Sequence, residues 1–159
     1  ESAYRVEKLK VGLSWQGNPK YETDYLRSIP FSELTPLIKS GLADFVVIQK
    51  GHHAEQIPKM TGLLNLGSEL DKIHGFVDTA AVMINLDLII TSDTAVAHLA
   101  GALAKPVWLL LNTAPDWRWQ LERTETPWYP TMRLFRQPAP RDWPSVIASV
   151  ETALKKFKR

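Results

Sequence analysis

The segment from Asp87 to Leu111, DLIITSDTAVAHLAGALAKPVWLLL, limits the fold more than any other part of the chain. It contains two short apolar runs, Leu88-Ile89-Ile90 and Val107 to Leu111, without polar alternation. Such runs suit strands covered on both faces, the environment of a parallel sheet. Parallel neighbours need a crossover, and the stretch between the runs reads as a helix. Ser92, Asp93 and Thr94 are all favourable N-cap residues. The turn that follows, Ala95-Val96-Ala97, carries no bulky polar side chain. Free N–H groups at a helix N-terminus that faces the carboxyl end of a parallel strand form an anion site. His98 follows Thr94 by one helical turn, so both face one ligand. The segment therefore predicts a phosphate-holding turn.

Strand and helix patterns alternate along the rest of the chain. Strands are expected at Val11–Trp15, Phe45–Gln49, Leu63–Leu66, Leu88–Ile90, Val107–Leu111 and Met132–Phe135. Helices are expected at 31–39 after Pro30, at 54–59, at 76–86, after Thr94, and at 145–157 behind Asp142 and Pro144. Gln16 to Ile29 reads as a loop, and Thr113 to Tyr129 as an aromatic-rich loop with a short helix. This alternation predicts an α/β fold: a Rossmann-like, doubly wound, mainly parallel six-stranded sheet in a single domain spanning 1–159. In the common doubly wound order the first and fourth strands are neighbours, and ligands bind beyond their carboxyl ends. The loops that meet there are Trp15-Gln16-Gly17-Asn18 and Ser92-Asp93-Thr94. Topology and helix capping thus select the same turn.

Composition narrows the partners. A net charge of +2 gives no case for nucleic acid or a membrane surface. The basic tail, Lys155 to Arg159, reads as a solvated helix end. No cysteine is present, which removes disulfides and thiol chemistry and is compatible with a cytoplasmic setting. No signal peptide or membrane-length apolar run is seen. The chain starts at Glu1 and is expected to be a piece of something longer.

Several motifs are excluded. Gly12 and Gly17 have the spacing of P-loop glycines, but Asn18 and Pro19 stand where that loop needs Lys and Ser or Thr. No G-x-G-x-x-G follows a strand, which argues against a dinucleotide site. His52 and His53 diverge by about 100° on a helix, and His74 lacks a partner at ligand spacing. No metal and no cofactor are expected. Gly17 is a tight turn that lets the backbone approach a ligand, or a turn glycine alone. Arg27 and Lys20 in the first loop, and Lys50 at the end of the second strand, offer positive charge to a phosphate or are simply solvated. His98 is a ligand contact or a core histidine. Asp116-Trp117-Arg118-Trp119 is a cover for a sugar or base, or a hydrophobic cluster that pins the loop together with Trp128 and Tyr129.

The stretch Ser92-Asp93-Thr94-Ala95-Val96-Ala97-His98-Leu99-Ala100-Gly101-Ala102-Leu103-Ala104-Lys105-Pro106-Val107-Trp108 resembles the nucleotide-binding motif of GT-B glycosyltransferases, in particular the heptosyltransferase-like family 9. The chain is also similar to a bacterial group that carries this domain after tetratricopeptide repeats. That likeness rests on Gly12 to Pro19, Arg27-Ser28-Ile29-Pro30, Gln49-Lys50-Gly51, Ala114 to Trp119 and Trp128-Tyr129-Pro130. The resemblance implies the C-terminal, donor-binding half of a GT-B enzyme acting on a nucleotide diphosphate sugar. Thr94 and Ala95 would contact the diphosphate, and His98 the ribose or phosphate. Asp93, Gly17, Asn18, Arg27 and Lys50 would complete the donor site. Trp15, Asp116, Trp117 and Arg118 would cover sugar or base. The acceptor half and the catalytic base would lie upstream, as would the repeats. The chain alone is then expected to lack transferase activity and to self-associate through its uncovered cleft face. Two other readings are a non-catalytic GT-B-like module of a repeat-containing interaction protein and a sugar-nucleotide epimerase.

Overall fold

The computed structural model describes residues 7–55, 57–73 and 75–158. His74 and Arg159 lie outside the described residues, as does Gln56 of the helix expected at 54–59. The elements are β1 (Leu9–Ser14), α1 (Asp24–Arg27), α2 (Phe31–Lys39), β2 (Ala43–Val47), α3 (His52–Glu55), β3 (Leu63–Asn65), α4 (Val77–Ile84), β4 (Leu88–Ser92), α5 (Ala95–Ala102), β5 (Val107–Leu111), a 3-10 turn (Trp117–Trp119), β6 (Met132–Arg136) and α6 (Trp143–Leu154). The six strands form one sheet in the order β3-β2-β1-β4-β5-β6. Every strand pair is parallel. The sheet is thus fully rather than mainly parallel. β1 lies beside β4 in the register Gly12 to Ile89 and Ser14 to Thr91, which places the switch point where the alternation predicts it.

Side chains alternate across the sheet and divide the core in two. Val11, Leu13, Phe45, Val47, Leu88, Ile90 and Leu110 face α2 and α6. Val46, Ile48, Ile89, Val107, Leu109 and Leu111 face Met83 beside α5's Ala97 and Ala100. With both faces covered, the strands need apolar residues at every position, and β4 and β5 are buried throughout.

Several boundaries differ from expectation for local reasons. The first loop contains one helical turn, α1, whose Asp24 is buried and ties Arg27 and Ser28 to it. α6 begins two residues early, because Asp142 accepts from the Ser145 backbone N–H at 3.1 Å and caps the helix. It ends at Leu154, short of the expected Phe157. The tail does not simply trail into solvent: the Phe157 ring packs edge-on against Trp108 at 5.6 Å.

The long connection after β5 is pinned from two sides. Arg136, at the end of β6, donates to the backbone carbonyls of Trp119, Gln120 and Arg123. Tyr129 lays its ring flat over Gly101 of α5, where an added Cβ would stand 2.5 Å from two ring carbons. Gly→Ala in a helix interior ordinarily stabilises by about 1 kcal/mol. At this position the sign should reverse: Gly101→Ala is expected to destabilise the fold by about 1–3 kcal/mol through overpacking, as read from the urea midpoint.

Candidate functional site

The connections after β1, β2, β3, β4 and β5 border a cleft of about 630 Å³ at the carboxyl edge of the sheet. Its floor is built by one amide. The Oε1 of Gln49, just beyond β2, accepts from Ser14 Oγ at 3.1 Å, Trp15 N at 3.0 Å and Gln16 N at 2.9 Å. Three donors on one buried oxygen fix the direction in which the chain leaves β1. The loop then turns at Gly17, whose N–H donates to Ser28 Oγ at 3.3 Å. A Cβ here would overlap the Asp24 carboxylate and the Arg27 guanidinium. Glycine thus lets the Asp24–Arg27 pair, at 2.8 Å, press against the turn with Arg27 along the cleft wall.

On the opposite wall α5 presents its N-terminus. Thr94 occupies the N-cap position with extended backbone, yet its side chain makes no cap hydrogen bond. Its Oγ1 is buried and has no partner among the described residues. An unsatisfied buried hydroxyl costs free energy, and this one sits beside the first-turn N–H groups of Ala95 and Val96, which also line the cleft. His98 lies one turn further along. Its Nδ1 is bound to the Tyr129 hydroxyl at 2.9 Å, and its ring stacks on Trp119 at 5.4 Å and 28°. Nε2 has no protein partner among the described residues.

Charge is unevenly placed. Burial raises the Asp93 carboxyl above its ordinary pKa, and repulsion from Asp116 adds to this. The Trp119 indole N–H, close by but outside hydrogen-bond geometry, offsets part of the effect, as do Arg27 and His98. Asp116 moves the other way: burial raises it, but backbone and side-chain bonds from Arg118 outweigh burial and hold it below its ordinary value. At the far end Lys50 Nζ pairs with Asp71 at 2.6 Å and lies 4.2 Å from the Phe76 ring centroid. Asp71 also accepts from the backbone N–H groups of Asp78 and Thr79, thereby capping α4, and from Thr79 Oγ1. Burial raises its pKa, but the bonds from Lys50 and Thr79 prevail and hold it at about 2. Asp71 and Phe76 both have positive φ, 55° and 64°, an uncommon backbone state held here by this network.

The residues selected from sequence converge here: Gly17, Asn18, Arg27, Lys50, Asp93, Thr94, Ala95, His98, Asp116 and Arg118 all line the cleft. Two do not. Trp15 is 2% exposed and packs on Phe31 at 5.0 Å, so it belongs to the core under α2 rather than to a sugar cover. Trp117 is 69% exposed, meets Trp128 edge-to-face at 6.1 Å and does not line the cleft. Trp119 is buried beneath His98. Gln49, Asp71 and Phe76 have no role assigned from sequence, and Tyr129 only that of pinning the loop, because the contacts each makes in the cleft are with residues distant in the chain. No group of three or more His, Asp or Glu side chains suited to a metal occurs among the described residues. No helix among them is long and apolar enough to cross a membrane.

No family model matches the chain. Over 164 residues it is 31% identical to the protein FlbA of Caulobacter vibrioides, across 96% of this chain and 27% of FlbA. Among solved structures, the E. coli ADP-heptose lps heptosyltransferase II matches with a TM-score of 0.65 at 15% identity, over 94% of this chain and 47% of that one. The E. coli heptosyltransferase WaaC with ADP matches with a TM-score of 0.60 at 14% identity, over 95% and 45%. The chain has the fold of one GT-B half. It spans about half the length of these heptosyltransferases and under a third of FlbA.

Two outcomes follow from the geometry. The native pKa of Asp71 lies below its unfolded value of 3.8, so its contribution is complete above that value and disappears as pH falls through about 2. Asp71→Asn is expected to lower stability by about 2 kcal/mol at pH 7, with the gap narrowing to about half by pH 3, in urea titrations at both pH values. A phenol is a better donor than acceptor, so Tyr129 should hold neutral His98 with its proton on Nε2. Ring 15N shifts at pH 8.5 should report that tautomer in the native chain and a mixture in Tyr129→Phe.

Proposed function

We propose that the chain is the nucleotide-sugar-binding half of a glycosyltransferase, with the acceptor half and the repeats implied by the sequence resemblance in the rest of a longer protein. The observation that carries this reading is the unpaired Thr94 Oγ1 at the open N-terminus of α5. A capping hydroxyl left free beside unbonded N–H groups suits a phosphate oxygen. The cleft is also polarised along its length. Ile48, Val96 and the half-exposed Phe76, whose ring carries the Lys50 ammonium on one side, supply the apolar surface of the lining, suited to a base. Arg27, Asp93, Asp116 and Arg118 form a charged end. A nucleotide diphosphate sugar fits in that order, with the diphosphate at α5 and the sugar beyond it. Neither Trp117 nor Trp119 fills the cleft, which favours a donor site over a non-catalytic module. The WaaC structures solved with ADP and with ADP-2-deoxy-2-fluoro heptose are consistent with such a ligand.

In the reaction, an acceptor nucleophile attacks the anomeric carbon while its bond to the diphosphate oxygen breaks. The α5 N–H groups, Thr94 Oγ1, His98 Nε2 and Arg27 would receive the charge that develops on the departing diphosphate. The nucleophile and its base belong to the other half, so the isolated chain should turn over no donor.

Calorimetric titration with UDP, GDP, ADP and CMP tests the reading, first on this chain and then on its full-length parent. One nucleotide should bind saturably. Thr94→Ala should weaken it about 5- to 10-fold, equivalent to about 1 kcal/mol, without lowering Tm, because the hydroxyl has no partner to lose in the free protein. His98→Ala should weaken it as well. Failure of all four to bind the parent would overturn the proposal.

A further inference from the structure

A second cavity, of about 660 Å³, opens between α6 and the starts of β5 and β6, and shares no lining residue with the cleft. One wall is the outer face of α6, where Ala148, Thr152 and Lys156 follow one another at four-residue spacing beside Ser149. Both hydroxyls are turned back on the helix, Ser149 Oγ to the Ser145 carbonyl at 3.0 Å and Thr152 Oγ1 to that of Ala148 at 2.9 Å. The strip therefore presents small side chains whose donors are already engaged.

Three cations border this strip: Arg133 of β6, and Lys156 and Lys158 just past α6. No carboxylate lines the cavity, and none of the three makes an ion pair with a described residue. Glu125 bridges Arg133 through the backbone without pairing with its side chain, and Glu151 is engaged by Lys155 at 2.8 Å. Lysines at a helix C-terminus ordinarily answer the helix dipole. Arg133 comes from a different element, and its guanidinium is held 4.6 Å from the Phe135 ring and 6.0 Å from that of Trp108. Phe157, edge-on to Trp108, anchors the tail between the two lysines. Packing thus gathers the three charges around one groove.

We propose that this groove docks an acidic peptide segment of a protein partner. Its carboxylates meet Arg133, Lys156 and Lys158, and an apolar side chain between them lies on the strip from Ala148 to Thr152. Charge complementarity selects the occupant. Three cations around a single cavity make no track along a phosphate backbone, and Trp108, 5% exposed, offers no open indole face to a nucleic acid base. Because the groove and the cleft lie at opposite ends of the parallel strands, the inference is independent of the donor-site reading.

The test is fluorescence anisotropy with labelled heptapeptides that carry Glu at every position except one, occupied in turn by Leu, Phe or Trp. The same peptides with Gln for Glu, and a uridine octamer, serve as comparisons, with the full-length parent titrated alongside. At least one acidic peptide should bind saturably, and its Gln counterpart and the octamer about 10-fold more weakly or not at all. Raising the salt should weaken binding. Lys156→Glu combined with Lys158→Glu should abolish it without lowering Tm, since both side chains are exposed and unpaired. Arg133→Gln should weaken it and Arg133→Lys should restore it. Backbone amide shifts on binding should centre on residues 148–153 and 133. No binding by any acidic peptide, equal binding by the Gln peptides or the charge-reversed variant, tighter binding of the octamer, or shifts confined to the cleft would overturn the proposal.

Discussion

The parallel pairing of β1 with β4 is the constraint on which the cleft depends. Parallel strands send their carboxyl ends to the same edge, and the reversal of strand order between these two opens a gap there that no crossover helix covers. The loop after β1 and the N-terminus of α5 are therefore forced to face each other. What remains is to hold both loops still. Gln49 does this for the first with one amide oxygen, and the Tyr129–His98–Trp119 stack does it for the second. Both clamps are remote in sequence from what they hold. Among the described residues they leave Thr94 Oγ1, beside the first turn of α5, without a protein partner.

Rigidity and vacancy are thus divided between different atoms of the same small region. His98 shows this within a single ring: Nδ1 is committed to Tyr129 and Nε2 is not. Lys50 shows the opposite arrangement, with its ammonium engaged by Asp71 and lying near the face of Phe76. A ligand at that end meets a lysine whose charge is already largely neutralised, whereas one at the α5 end meets unspent donors. The cleft is therefore directional before anything enters it.

Much of this was legible in the sequence. The limits of α2 and β5 follow from Pro30 and from the apolar run Val107 to Leu111, and alternation alone located the switch point. Most of the selected side chains meet in the cleft because strand-end loops are bound to meet there. The failures differ in cause. Trp15 stands just past β1, in phase with Leu9, Val11 and Leu13 rather than with Lys10, Gly12 and Ser14, so the strand's alternation already assigned its indole to the core and the motif reading overrode it. Trp117 and Trp119 are identical in type and adjacent in motif, and only the 3-10 turn sends one to solvent and the other beneath His98. Asp71 gains its meaning from partners that no local pattern records.

The contact between Gly101 and Tyr129 has a consequence for descent. The ring lies where any other residue would place its Cβ, and the hydroxyl of that ring steadies His98. A larger side chain on α5 displaces the tyrosine, and a displaced tyrosine releases the histidine. The two positions can therefore drift only as a pair, and a lineage that lost one would have little reason to keep the other.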